Sequence, residues 1–129
     1  MNAESPPSAR TILVVEDEAS IRTIVKLAME MNGHRVLTAS DGDEALHVAE
    51  DHQGPIDLVI TDILLPGISG SDTIRTLVET RPGLNVIYIS GYLGDQADLA
   101  KSETGQMRFL SKPFTPRQLV EVVASVFAS

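Results

Sequence analysis

Short apolar runs that end abruptly in charge are the feature that most constrains this chain. Ile12-Leu13-Val14-Val15 runs into Glu16-Asp17-Glu18, Leu58-Val59-Ile60-Thr61 into Asp62, and Phe109-Leu110-Ser111 into Lys112-Pro113. Runs of this kind read as strands buried in a parallel sheet. Between them the apolar residues recur at helical spacing. Ile21, Ile24, Val25, Ala28 and Met31 form one face, stopped by Gly33. Ala45, Leu46 and Ala49 form a second, and Ile74, Leu77 and Val78 a third. Leu119, Val122, Val123 and Val126 form the last, opened by Thr115-Pro116. Further strands are expected over 35–39 and 84–89. A fourth helix is expected over 93–104, short or mobile because its apolar residues (Ala97, Leu99, Ala100) are few and small.

Five strand-helix units with short connections predict an α/β fold, a doubly wound five-stranded parallel sheet with five helices. The 129 residues fit one domain. Residues 1–10, polar and containing Pro6-Pro7, are expected to be a disordered lead-in, with the folded domain over 11–129. They lack the apolar core of a secretory signal, and no segment is apolar for long enough to span a bilayer. The formal charge of -8 argues against direct nucleic-acid binding and against an anionic membrane surface. The chain has no cysteine, hence no disulfide or thiol chemistry. A cytoplasmic location is expected.

In open α/β sheets the ligand site lies outside the carboxyl ends of the strands. Glu16 and Asp17 follow one strand and Asp62 ends another. Carboxylates converging there repel one another unless a cation sits between them. Oxygen-only ligands favour Mg²⁺, which shares its shell with waters and a phosphate. A carboxylate can also attack phosphorus and form an acyl phosphate; Asp62, alone at its strand end, is the candidate. Lys112 could neutralise phosphoryl oxygens as a point charge, and the Ser90 hydroxyl could donate to another. Glu18 reads as a first-turn helix acid. His34, His47 and His52 read as solvated surface residues. Gly67 and Gly70 lack a P-loop pattern, and no G-x-G-x-x-G follows the first strand.

These residues carry a resemblance to the receiver domains of two-component response regulators, above all those of hybrid sensor histidine kinases and single-domain regulators. The matching pieces are Ile-Leu-Val-Val-Glu-Asp-Glu at 12–18, Asp-Leu-Val-Ile-Thr-Asp-Ile-Leu-Leu-Pro-Gly-Ile-Ser-Gly at 57–70, Ile-Ser-Gly at 89–91 and Lys-Pro-Phe at 112–114. The resemblance implies a flavodoxin-like receiver fold and a signalling module, not a metabolic enzyme. It implies phosphorylation of Asp62 by a sensor histidine kinase or a histidine phosphotransfer protein. Mg²⁺ falls to Glu16, Asp17, Asp62 and the backbone carbonyl of Leu64. Lys112 and Ser90 become the phosphate ligands, Ser90 and Phe109 the switch pair, and Lys112-Pro113 a cis peptide.

Glu16 stands where the family often has Asp, a longer but equally hard oxygen ligand. Leu64 and Tyr92 are expected to flank the open side of the phosphoryl group, hinder the hydrolytic water and prolong the acyl phosphate. A haloacid-dehalogenase-like phosphatase is disfavoured, because that chemistry places a second Asp where Leu64 stands. The remaining alternative is a receiver-like interaction module that works without phosphorylation. With the chain ending soon after the last helix, output is expected through protein contact, through phosphate relay, or from a domain outside the sequence.

Overall fold

A computed structural model describes residues 10–91 and 107–128. The elements are β1 (Thr11–Val15), α1 (Ala19–Met31), β2 (Arg35–Ala39), α2 (Gly42–Asp51), β3 (Leu58–Asp62), α3 (Gly70–Thr80), β4 (Asn85–Ser90), β5 (Met107–Ser111) and α4 (Pro116–Ala128). The strands form one parallel sheet in the order β2-β1-β3-β4-β5. Side chains alternate across it as the pleat requires. Leu13, Val15, Val59, Val86 and Tyr88 pack toward α2 and α3. Ile12, Val14, Ile60, Ile87, Ile89 and Leu110 pack toward α1 and α4. Both faces are covered, which is why the strands are apolar at successive positions instead of alternating.

Strand order reverses direction at β1, whose neighbours are β2 on one side and β3 on the other. Such a switch point opens a crevice at the carboxyl edge. Register then fixes which residues meet there. Val15 lies opposite Thr61, so Glu16 comes level with Asp62. Asp62 lies opposite Ile89, and Ser90 opposite Ser111, which precedes Lys112. A one-residue slip would send every side chain of a strand to the other face. The two apolar clusters therefore hold the register that assembles the polar edge.

Local chemistry starts and stops the helices where the sequence signals them. Asp41 caps α2, accepting from the Glu44 N–H at 2.8 Å, while Glu44 accepts from the Ser40 N–H at 2.7 Å. At the start of α4 the exchange is fully reciprocal, Thr115 Oγ1 accepting from the Gln118 N–H at 3.1 Å and Gln118 Oε1 from the Thr115 N–H at 2.9 Å. Gly33 ends α1 at φ 89°, a conformation costly for a side chain with a Cβ.

Three expectations are corrected. Four helices, not five, are present among the described residues; the expected fourth helix over 93–104 lies outside them, as does the lead-in over 1–9. The inward face of α1 is Val25, Ala28 and Met29, while Ile24 is 47 % and Met31 85 % exposed. Both lie on a flank of the helix, so apolar character alone misjudged the phase. His34 is half-buried, not solvated: its Nδ1 accepts the Arg10 N–H at 3.1 Å and its ring lies 5.9 Å from that of Phe127.

Gly70 opens α3 where a Cβ would collide with the carbonyl oxygen of Asp62 and crowd Ile63. Gly70→Ala is expected to destabilise the protein by about 1–3 kcal/mol through this overpacking, read as a lower urea midpoint; an unchanged midpoint would contradict the close approach.

Candidate functional site

The crevice at the carboxyl edge collects the charged residues that end the strands. Glu16 follows β1 and is fully buried, with its N–H bonded to the Ala39 carbonyl at 3.1 Å. Its Oε2 accepts from the Glu18 N–H at 3.1 Å. Its Oε1 is buried with no hydrogen-bond partner. Asp17, next along, is exposed. Asp62 ends β3 and is 7 % exposed. One carboxylate oxygen from each of Glu16, Asp17 and Asp62 lies within 4.8 Å of the others.

Lys112, at the end of β5, is the cation set against this group. Its Nζ lies 2.8 Å from Asp62 Oδ2, 3.4 Å from Glu18 Oε1 and 3.8 Å from Glu16 Oε1. The Lys112–Pro113 peptide is cis, and the Lys112 N–H donates to the Ser90 carbonyl at 2.9 Å, tying the ends of β4 and β5 together. Ser90 itself is buried. The Leu64 N–H donates to Asp62 Oδ1 at 3.3 Å, while the Leu64 side chain is 61 % exposed beside the site. Phe109 is half-buried, stacked on Tyr88 with ring centroids 5.8 Å apart. Tyr92 lies outside the described residues.

Burial governs the electrostatics. It pushes the Glu16 carboxyl up to about 7, reinforced by the nearby Asp62 charge and opposed by the Glu18 N–H and Lys112. Burial alone would lower Lys112, but its hydrogen bond to Asp62 and the charges of Glu16 and Asp62 outweigh that and raise it. One lysine cannot offset three carboxylates. A buried acceptor oxygen without a donor is costly, and Glu16 Oε1 is such an atom. Hard oxygen donors with an unsatisfied member suit a divalent cation of the Mg²⁺ type, so the residues present fit that ion.

Two contributors escaped the sequence reading. Glu18 is the N-cap residue of α1, yet its side chain makes no capping bond and faces Lys112 instead. Arg22 Nη1 donates to the Glu16 carbonyl at 2.7 Å. A base in the first turn of a helix opposes the macrodipole, and that mismatch was the available signal.

The model of the response regulator receiver domain family matches residues 12–124. The sensor kinase CckA of Brucella abortus is 34% identical over 113 residues, covering 88% of this chain and 12% of that protein. The DNA-binding transcriptional regulator NtrC of Azospirillum brasilense is 36% identical over 116 residues, covering 90% of this chain and 24% of that one. The chain thus spans a small part of these relatives' length. Among solved structures, the receiver domain of the hybrid histidine kinase CckA superposes with a TM-score of 0.77 at 36% identity, covering 91% of this chain and 98% of that one. A response regulator receiver domain protein from Clostridium thermocellum gives 0.81 at 35% identity, covering 92% and 94%. The acidic cluster with its lysine is the apparatus of Mg²⁺-dependent aspartate phosphorylation in a two-component signalling module, not of turnover of an external metabolite. The chain belongs to the response regulator receiver domain family.

Proposed function

We propose that Asp62 is the acceptor in that reaction, taking a phosphoryl group from a phosphohistidine on a sensor histidine kinase or a histidine phosphotransfer protein. The reading rests on one observation above others: Lys112 Nζ at 2.8 Å from a carboxylate that closes an acidic cluster. A carboxylate oxygen of Asp62 forms the new P–O bond as the P–N bond breaks, and the electron pair leaves with the donor imidazole. Glu16, Asp17, Asp62 and the Leu64 carbonyl would hold Mg²⁺, which when bound supplies positive charge to the carboxylates and phosphoryl oxygens. Lys112 passes from the Asp62 carboxylate to a phosphoryl oxygen, and the Ser90 hydroxyl donates to another. Little covalent work falls to the protein; positioning and charge stabilisation carry such transfers.

Ser90 and Phe109 form the proposed switch pair, Ser90 moving toward the phosphate and Phe109 turning inward, so that the face a partner reads is remodelled. The domain takes in 11–129 and works in the cytoplasm without contacting nucleic acid directly. Among the described residues no helix is long and apolar enough to cross a membrane.

Acetyl phosphate with Mg²⁺ is expected to add one phosphoryl group by intact mass, absent without Mg²⁺ and absent in Asp62→Asn. Wild-type protein that binds Mg²⁺ yet gains no mass from acetyl phosphate or from a phosphohistidine donor would instead indicate an interaction module that never takes phosphate.

Glu16 adds a pH dependence. Its folded-state value, about 7, lies above the 4.5 of an ordinary glutamate. In metal-free protein its contribution to stability is therefore complete below about 4.5 and is lost as pH rises through about 7. A cation needs the ionised form, so the rise in melting temperature caused by Mg²⁺ is expected to be larger at about pH 8 than at about pH 6. Glu16→Gln should flatten that difference; a difference that survives the substitution would place the titrating group elsewhere.

The exposed Leu64 side chain is proposed, with Tyr92, to hinder the hydrolytic water. Leu64→Asn with Tyr92→Glu should shorten the acyl-phosphate lifetime by on the order of tenfold, a barrier change of about 1.4 kcal/mol. Equal lifetimes by phosphoryl-loss kinetics would remove both residues from that role.

A further inference from the structure

Two of the residues proposed to hold Mg²⁺ belong to no helix or strand. β1 ends at Val15 and α1 begins at Ala19, so Glu16 and Asp17 lie in the short link between them. Backbone in such a link has no ladder or helix to fix it, and its position must come from other bonds. Glu16 takes one from the sheet, its N–H donating to the Ala39 carbonyl at 3.1 Å. Arg22 supplies two more. Its N–H donates to the Glu18 carbonyl at 2.9 Å, and its Nη1 to the Glu16 carbonyl at 2.7 Å. Asp17, itself exposed, lies between the two carbonyls that Arg22 holds.

On charge alone Arg22 is poorly suited to this place. It stands near the start of α1, where the helix dipole disfavours a cation. It also lies against the backbone of Glu16, whose carboxyl belongs to the cluster that would receive a second cation. Its charge is felt at the head of α2 as well. There the Glu44 carboxyl is held below its ordinary value first by the Ser40 hydrogen bonds, against burial, and then by Arg22. Glu44 Oε1 accepts from the Ser40 N–H and hydroxyl, each at 2.7 Å, and Ser40 follows the residue whose carbonyl takes the Glu16 N–H. Glu16 is thus clasped at its N–H from the β2–α2 turn and at its carbonyl by Arg22.

We propose that Arg22 is a positioning residue for the cation site, holding the 16–18 link through two carbonyls so that the Glu16 and Asp17 carboxylates face Asp62 before a cation arrives. This role rests on the proposed Mg²⁺-dependent phosphorylation of Asp62. A guanidinium offers donors in a fixed geometry, and charged donors make the stronger hydrogen bonds. Groups that orient metal ligands without touching the metal govern its affinity.

Two accounts of Arg22 predict opposite signs. If it were only a positive charge near the site, its removal would lessen repulsion of an incoming cation and tighten Mg²⁺. As a clasp, its removal loosens the ligands and weakens Mg²⁺ despite that relief. A residue that only supported the helix would lower stability and leave the Mg²⁺ affinity of the folded protein unchanged.

Mg²⁺ alone, with no phosphodonor, is titrated into ¹⁵N-labelled protein, and the dissociation constant is read from amide shifts over 16–18 and 62–64. Circular dichroism establishes that each variant is folded. Arg22→Met is expected to weaken binding by on the order of tenfold, and Arg22→Lys, which keeps a charged donor of similar reach, to recover most of that loss. Lys26→Met, the same charge change one turn further along α1, should shift it by less than about twofold. If Arg22→Met does not fold, Arg22→Gln, shorter and uncharged, carries the same comparison. A second readout needs no metal. The Glu18 N–H, bonded to Glu16 Oε2 at 3.1 Å, should exchange faster in Arg22→Met and at the wild-type rate in Arg22→Lys. Tighter or unchanged Mg²⁺ binding in Arg22→Met, or a loss that Arg22→Lys does not restore, would overturn the positioning role alone. Wild-type protein whose amides do not respond to Mg²⁺ would overturn the cation site and the positioning role together.

Discussion

The ion pair between Lys112 and Asp62, 2.8 Å from Nζ to Oδ2, is the contact around which the polar edge of this protein is organised. Without it, carboxylates from two strand ends would face one another across a few ångströms with no positive charge between them, and like charges at that separation drive one another toward protonation. Glu16 shows the residual strain: even with Lys112 nearby, burial holds its carboxyl at about 7. The site is thus under-neutralised by construction. That deficit is what gives the edge an affinity for a cation, and the apolar packing beneath it must be strong enough to hold the deficit in place.

That packing is where the sequence was most legible. The strand runs, the caps at Asp41 and Thr115, and the inward faces of α2, α3 and α4 follow from local patterns that act over a few residues. Because parallel register is determined by those patterns, the meeting of Glu16, Asp17, Asp62 and Lys112 was legible too, as was the position of Ser90 at the end of β4. What escaped was relational. Whether Glu18 caps its own helix or pairs with Lys112 depends on a residue 94 positions away. The phase of α1 depends on where α4 crosses it, since Ile24 and Val25 are equally apolar in sequence but only Val25 faces the sheet and α4. The helix count among the described residues is one short of the expectation, and the helix expected over 93–104 lies outside them.

The proposed switch meets a mechanical constraint along β5. Lys112 is bonded through its backbone to the Ser90 carbonyl, and Phe109 lies three residues earlier on the same strand, stacked on Tyr88 of β4. Ser90 and Tyr88 share β4, and Lys112 and Phe109 share β5 or its immediate extension. A rearrangement at the phosphoryl end therefore bears on the aromatic pair through two adjacent hydrogen-bonded strands, with no long chain of intermediaries. The stack joins the apolar cluster beneath α2 and α3, so inward rotation of Phe109 needs space made on that side of the sheet.

Energy limits how far such a switch can go. Moving a two-state equilibrium from about 1:99 to 99:1 takes roughly 5.5 kcal/mol of differential interaction. In the proposed switch the phosphoryl contacts of Lys112 and Ser90 would not add in full, because Lys112 would give up its bond to the Asp62 carboxylate to make one of them. Its contribution is the difference between two charge-assisted contacts, smaller than either. The same exchange frees Lys112 from the geometry that Glu16 and Glu18 now share with it, so part of the gain is offset by carboxylates left with weaker compensation. A partner that binds one conformation preferentially then supplies the remainder, by differential affinity and not by phosphate contacts alone. In the proposed switch, phosphorylation and a partner that prefers the phosphorylated conformation would each favour the other.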